Sequence, residues 1–85
     1  MELPDILFLG EVMKSYYPAF DIPGPSMQEL WLEDLRRYDR PLVLRALRQW
    51  ARQHTDRAPT ITALMEQIEW VEDDDRKAMR RGART

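Results

Sequence analysis

Few residues of this 85-residue chain are suited to catalysis. His54 is the single histidine, cysteine is absent, and no serine or threonine stands beside a base in a glycine-rich turn. A hydroxyl is a weak nucleophile until a neighbouring base activates it. Gly10, Gly24 and Gly82 are too far apart in sequence to form a phosphate-binding loop. The chain is therefore predicted to be non-catalytic and to need no cofactor, and His54 to cap a helix end or close the core.

The acidic run 72–75, with Glu69 before it, contains residue types that suit a metal ion. It lacks the alternating Asp-x-Asp-x-Asp-Gly pattern that orients oxygen ligands around calcium. A run of this kind is typical of a solvated helix face. No metal site is predicted.

Three arginines form the clearest candidate for a binding surface. Arg45, Arg48 and Arg52 fall within about 60° of one another when residues are placed on a helix at ~100° per residue. A guanidinium pairs bidentately with phosphates and carboxylates, so this arginine stripe suits either DNA or an acidic protein surface. The alternative is a solvent face whose arginines pair with acids of the preceding helix.

Trp70 and a basic tail complete the predicted partner-binding set. Trp70 lies opposite the apolar stripe of its own helix, so it either packs under the amino-terminal segment or a loop, or marks a partner-binding spot. The tail carries Arg76, Lys77, Arg80 and Arg81. It is either a basic arm for DNA or a protein partner, or an inert end.

Charge is segregated along the chain although the net charge is only -2. Residues 1–35 carry -6, 36–57 carry +5, 58–75 carry -6 and 76–85 carry +5. Such blocks either steer a charged partner toward the protein or pair with one another inside the fold. The lack of cysteine fits a reducing compartment, and no apolar run approaches the ~20 residues that span a bilayer. A cytoplasmic protein without membrane contact is expected.

Apolar periodicity predicts an all-α domain, a compact bundle of about four helices. The first helix ends at Pro18, and residues 18–25 follow as a rigid proline-rich connection. Ser26 and Glu29 match a capping box that opens the second helix. Asp39-Arg40-Pro41 closes that helix and opens the third, with Asp39 as the N-cap. This junction is predicted to be a tight helix–turn–helix corner.

Each predicted helix has an inward face. In the first helix Gly10 interrupts this face to admit a neighbouring helix, and Thr60 is predicted to cap the fourth. Residues 1–72 are expected to form one domain and 73–85 a charged helical extension or tail. That segment either continues the helix toward Gly82 through acid–base pairs such as Glu72 with Arg76, or frays. The inward faces comprise Ile6, Leu9, Met13, Tyr16 and Tyr17; Met27, Leu30, Trp31, Leu35 and Tyr38; Val43, Leu44, Ala46, Leu47, Trp50, Ala51 and His54; and Ile61, Leu64, Met65, Ile68 and Val71.

The order of aromatic and capping residues between Val12 and Val71 resembles that of a phage family whose members load and inhibit the replicative DNA helicase, and of related segments in phage replisome organisers. These positions cover about 60 residues and are mostly core and capping positions, so they speak for the fold more than for the activity. They are Tyr17-x-x-Phe20, Trp31 three residues before Asp34-Leu35, Tyr38-Asp39, Ala46-Leu47 with Trp50-Ala51, and Pro59-x-Ile61.

The resemblance implies an adaptor that binds a hexameric helicase of the DnaB type and a replication-initiation protein, with no catalytic residue. In that family the helicase contact is assigned mainly to a flexible carboxy-terminal extension, to which only the basic tail 73–85 could correspond here. A helicase loader or modulator of phage-like origin is therefore the leading hypothesis. The alternatives are a small helical DNA-binding regulator that uses the arginine stripe, and a self-associating structural module.

Overall fold

The computed structural model describes the backbone of residues 1–83 and the side chains of residues 1–78. Four helices make up this part of the chain: α1 Leu3–Tyr16, α2 Pro25–Leu35, α3 Arg40–Gln53 and α4 Ile61–Ala83. No strand occurs among these residues, so the predicted all-α bundle is confirmed. Over the same residues, none of the helices combines the length and apolar composition needed to cross a bilayer.

Helix α1 lays one face on the core. Its first turn is tied by the amide of Glu2, which donates to the Asp5 carboxylate at 2.9 Å. Tyr16 is 43% exposed, so its predicted inward position is wrong. Helix α1 ends at Tyr16, and Tyr17, the residue after it, turns into the core. The prediction is confirmed for the other members of this face, Ile6, Leu9, Met13 and Tyr17.

The proline-rich connection between α1 and α2 packs across the middle of α1. A Cβ atom on Gly10 would lie 3.3 Å from Cγ2 of Ile22 and 3.7 Å from Cδ of Pro23. The glycine therefore admits this connection, whereas a neighbouring helix was predicted. Lys14 holds the same segment by donating to the Phe20 carbonyl at 2.9 Å.

Helix α2 begins at Pro25 after the N-cap Gly24, whereas Ser26 as N-cap predicts a start at Met27, two residues later. The predicted capping box of Ser26 and Glu29 is wrong, since no side chain among the described residues caps this helix. Proline is well suited to the first helical position, and its presence there moves Ser26 inside the helix, beyond the capping position. The first turn is joined to the connection by Gln28, whose side-chain amide donates to the Pro23 carbonyl at 2.7 Å.

The buried stripe of α2 is narrower than the sequence predicts. Trp31 and Leu35 are buried, and Tyr38 joins them just after the helix. Met27 and Leu30 are 48% and 54% exposed, so their predicted inward positions are wrong. Helix α2 packs chiefly against α1, and this contact covers only part of its apolar surface.

Residues 36–39 form the predicted tight corner between α2 and α3. The amide of Tyr38 donates to the Leu35 carbonyl at 2.9 Å, which closes the turn. Asp39 is the N-cap residue of α3, as predicted, but its side chain makes no capping hydrogen bond. Thr60 caps α4 as predicted, because its hydroxyl accepts a hydrogen bond from the Ala63 amide at 3.1 Å.

Helices α3 and α4 pack against each other and complete the core. Helix α4 runs without interruption to Ala83, so of the two predicted courses the continued helix is the observed one. The side chains of Arg80 and Arg81, two predicted contact residues, lie outside the described residues. From this helix pair, the fully buried side chains are Val43, Ala46, Leu47, Leu64, Ile68 and Val71.

Candidate partner-binding surface

The arginine stripe of α3 lies in solvent, as predicted. Arg45, Arg48 and Arg52 are all exposed. The Arg45 guanidinium donates to the carboxylate of Asp75 on α4, and this hydrogen bond raises the pKa of Arg45. No carboxylate within the described part of the chain forms an ion pair with Arg48 or Arg52. One arginine thus serves the contact between α3 and α4, and two are open to a partner.

A hydrogen bond between two glutamines places Trp70 beside this stripe. Gln67 of α4 donates through its side-chain amide to Oε1 of Gln49 on α3 at 3.2 Å. Residues three or four apart lie on the same side of a helix. Gln49 is one turn from both Arg45 and Arg52, and Gln67 is one turn before Trp70. The arginine stripe and Trp70 therefore flank one seam, and together they form what we name the α3–α4 surface.

Trp70 is the most exposed large apolar side chain of the described residues, at 58%. The prediction that it packs under the amino-terminal segment or a loop is wrong, because those segments leave more than half of it in solvent. A tryptophan on a packed helix presents a large contact area at little cost in conformational entropy. The alternative prediction, a partner-binding spot, is the one that its exposure supports.

The first two cations of the basic tail pair within α4. Arg76 lies 3.0 Å from Glu72 and Lys77 lies 3.3 Å from Asp73, both at i,i+4 spacing. The first of these pairs was predicted. All four side chains are substantially exposed, and such pairs add little to stability. They leave Arg76 and Lys77 accessible to a partner that brings its own acids.

The basic block 36–57 is paired with both acidic blocks. This arrangement supports internal pairing as one use of the segregated charge. The predicted pairing of the arginine stripe with acids of the preceding helix is wrong, because α3 packs mainly against α1 and α4. The ion pairs that leave this block are Arg37 with Glu69 at 3.8 Å, Arg40 with Asp5 at 3.5 Å, and Arg45 with Asp75.

His54 ends α3, as predicted. Its amide donates to the Trp50 carbonyl at 2.8 Å, and its ring stacks on the Trp50 ring with centroids 4.0 Å apart. Its carbonyl accepts a hydrogen bond from the Tyr17 hydroxyl at 2.6 Å, and burial raises the pKa of Tyr17. These contacts join the ends of α1 and α3.

Among the described side chains, no group of three or more His, Asp or Glu residues is placed to hold a metal ion.

Two members of the α3–α4 surface were not singled out from the sequence. Gln49 and Gln67 are ordinary polar helix residues, and their pairing depends on how two antiparallel helices are aligned. The hydrophobic periodicity of each helix fixes which side faces the core, but it leaves this alignment open.

Comparison of the chain with protein-family models, with curated proteins and with solved structures finds no match.

Proposed function

We propose that this chain is a non-catalytic adaptor in DNA replication, which binds a replicative helicase of the DnaB type and loads it or modulates its activity. The partner comes from the resemblance of residues 12–71 to the phage helicase-loader family. The proposed mode of binding depends on one observation. Trp70 is exposed on the same α3–α4 surface as Arg48 and Arg52, which form no ion pair with a carboxylate of the described residues.

The composition of this surface suits a protein partner. Tryptophan and arginine are enriched among the residues that contribute most to protein–protein binding. Arg48 and Arg52 supply the guanidiniums, and Trp70 supplies the apolar anchor. Because Trp70 and both arginines stand on helices that are packed into the core, their backbone is already ordered before the partner arrives.

The surface extends along α4 toward the tail. Lys77 lies two turns after Trp70 on the same side of the helix, and α4 continues to Ala83. In the family that the chain resembles, the helicase contact lies mainly in a carboxy-terminal extension. We therefore place the helicase on the α3–α4 surface and along α4 beyond Trp70, with Arg76, Lys77, Arg80 and Arg81 as further contacts.

Binding to the DnaB-type helicase of the native host tests the proposal. The dissociation constant is measured by interferometry, and helicase ATPase and unwinding rates are measured with and without the full chain. We expect Trp70→Ala, and separately Arg48→Ala with Arg52→Ala, to weaken binding by about tenfold or more. Tyr16→Ala is the aromatic control, since Tyr16 is exposed at the end of α1. Arg57→Ala in the loop before α4 is the arginine control.

The outcomes distinguish an error in the proposed partner from an error in the proposed binding surface. If the wild-type chain neither binds the helicase nor alters its ATPase or unwinding rate, the proposed function is refuted. If it binds, but the Trp70 and arginine variants bind as tightly as their controls, the α3–α4 surface is the wrong site. Thermal unfolding of each variant shows whether a loss of binding comes from a loss of folding.

DNA binding is the second candidate function, and it is favoured by the open guanidiniums of Arg48 and Arg52. Against it, Arg45 is neutralised by Asp75, and Glu66 lies one turn from Trp70. Anisotropy with a labelled DNA duplex tests it. A DNA-binding role requires an affinity that falls steeply with salt and is lost in the Arg48→Ala, Arg52→Ala variant. We expect weak binding that this variant leaves unchanged.

A further inference from the structure

The packing of α1 on α2 leaves an open cleft of about 400 Å³ beside the start of α1. Met1, Leu3 on α1 and Leu32 on α2 provide its apolar lining. Leu3 is 43% exposed, and Leu7, one turn further along α1, is also 43% exposed. The cleft is large enough to receive apolar side chains from a partner, and Leu7 extends its apolar surface along α1. None of these residues belongs to the α3–α4 surface.

The rim of the cleft is acidic. Glu2, Glu29 and Glu33 line it, against two cations, Arg36 and the amino terminus of Met1. The amino terminus donates hydrogen bonds to the backbone carbonyls of Arg36 and Tyr38. Within the described part of the chain these three carboxylates form no ion pair. Acids elsewhere in the fold, such as Asp5 on α1, do meet basic side chains. The cleft therefore keeps an excess of negative charge, and its carboxylates stay open to a partner, whereas ion pairs neutralise acids elsewhere in the molecule.

We infer that this acidic cleft docks a basic amphipathic helix of a partner protein. The apolar side chains of such a helix would enter the cleft over Leu3 and continue along α1 onto Leu7, as in other helix-in-groove interactions. Glu29 and Glu33 lie one turn apart on α2, so they match lysines or arginines that are also one turn apart on the incoming helix. The charge complementarity selects this occupant over an acidic or neutral segment.

A designed peptide tests the inference on the full chain. The probe is a fluorescein-labelled helical peptide of about 14 residues with leucine on one face and lysine on the other. A peptide of the same composition, scrambled so that it has no apolar face, measures non-specific attraction. We expect the amphipathic peptide to bind about tenfold or more tightly than the scrambled one.

Variants of the cleft locate the binding. We expect Glu29→Gln with Glu33→Gln, and separately Leu3→Ala with Leu7→Ala, to weaken peptide binding by about tenfold or more. The charge control is Asp34→Asn with Glu66→Gln, which removes the same charge from exposed sites outside the cleft. The apolar control is Leu30→Ala, since Leu30 is 54% exposed and does not line the cleft.

Three outcomes would overturn the inference. The charge control could weaken binding as much as the cleft variant does, which would mean attraction to the overall negative charge. The scrambled peptide could bind equally well, which would exclude recognition of an amphipathic helix. Light scattering could show that the free chain forms a dimer that Leu3→Ala with Leu7→Ala disrupts, which would make a second copy the occupant. Circular dichroism of each variant separates these outcomes from unfolding.

Discussion

Two leucines of α2 provide a sharp test of how this helix is oriented. Both Leu30 and Leu35 belong to the inward face that the sequence predicts. In the structure Leu35 is 0% exposed and Leu30 is 54% exposed. Five residues along an α-helix correspond to a rotation of about 140°, so the two side chains point in different directions. The perturbations are Leu35→Ala and Leu30→Ala.

The two substitutions should lower the free energy of unfolding by amounts that differ several-fold. Leu35→Ala removes buried methyl and methylene groups and leaves a cavity. Replacing a buried leucine with alanine typically lowers the free energy of unfolding by about 2–5 kcal/mol. We expect the free energy of unfolding to fall by about 3 kcal/mol, since Leu35 is fully buried within the core cluster. At Leu30 water replaces the lost groups, so no cavity forms. We expect Leu30→Ala to lower the free energy of unfolding by less than about 1 kcal/mol, because the higher helix propensity of alanine offsets part of the lost apolar contact.

Urea denaturation followed by circular dichroism and by tryptophan fluorescence measures both values. Trp31 reports on the core, because it is 9% exposed and its ring centroid lies 6.3 Å from that of Phe20. With a slope of about 1 kcal/mol per molar urea, Leu35→Ala should lower the midpoint by about 3 M and Leu30→Ala by less than about 1 M. Equal shifts would refute the orientation of α2, because they would show that its buried face is the wider one predicted from the sequence.

Three further substitutions test individual contacts. Tyr17→Phe removes the hydrogen bond to the His54 carbonyl, and we expect it to lower the free energy of unfolding by about 1 kcal/mol at neutral pH. Burial raises the pKa of Tyr17 above its ordinary value, so this contribution is present below pH ~10 and is lost as the pH rises through the folded-state pKa. Urea unfolding across alkaline pH checks this, and identical pH dependence in both proteins would contradict it. Gly10→Ala should raise the free energy of unfolding by about 0.5 kcal/mol, because alanine favours the helix more than glycine does. The nearest side-chain atom, Cγ2 of Ile22 in the proline-rich connection, would lie 3.3 Å from the new Cβ, and the exposed Ile22 side chain can move. A lower urea midpoint for this variant would mean that the proline-rich connection is held rigidly. Arg45→Ala should leave the thermal midpoint nearly unchanged, since its ion pair with Asp75 is exposed; a large, salt-sensitive fall would show that this pair holds α4 on α3.

Much of the fold could be predicted from the sequence because most helices here have a single apolar stripe. The periodicity of α3 and α4, the turn residues at the corner and the Thr60 cap each correspond to a local physical cause. The start of α2 could not be resolved in this way, since Pro25 as first helical residue and Ser26 as N-cap predict starts two residues apart. The exposure of Met27 and Leu30 depends on which helices cover α2, and periodicity carries no information about that.

Only part of the candidate site could be predicted from the sequence, for the same reason. The exposure of the arginine stripe and the outward position of Trp70 follow from helix periodicity. The pairing of Arg45 with Asp75 spans 30 residues and depends on the alignment of two antiparallel helices, so it could not be predicted. The acidic cleft was also missed. Its signal was the charge of -6 in residues 1–35, but the packing of α1 on α2 is needed to show which acids meet.

The two proposed surfaces allow a test of whether the chain bridges partners. Arg48 and Arg52 of α3 lie on one surface with Trp70 of α4, whereas Glu29 and Glu33 line the acidic cleft with Leu3 and Leu32. Since the surfaces share no residue and differ in charge, each prefers a different partner. An adaptor requires both to be occupied at once. Saturating the chain with the basic amphipathic peptide should therefore leave its dissociation constant for the helicase within about twofold of the value without peptide. Competition between the two would mean that they share one surface, and the chain would then act on one partner at a time.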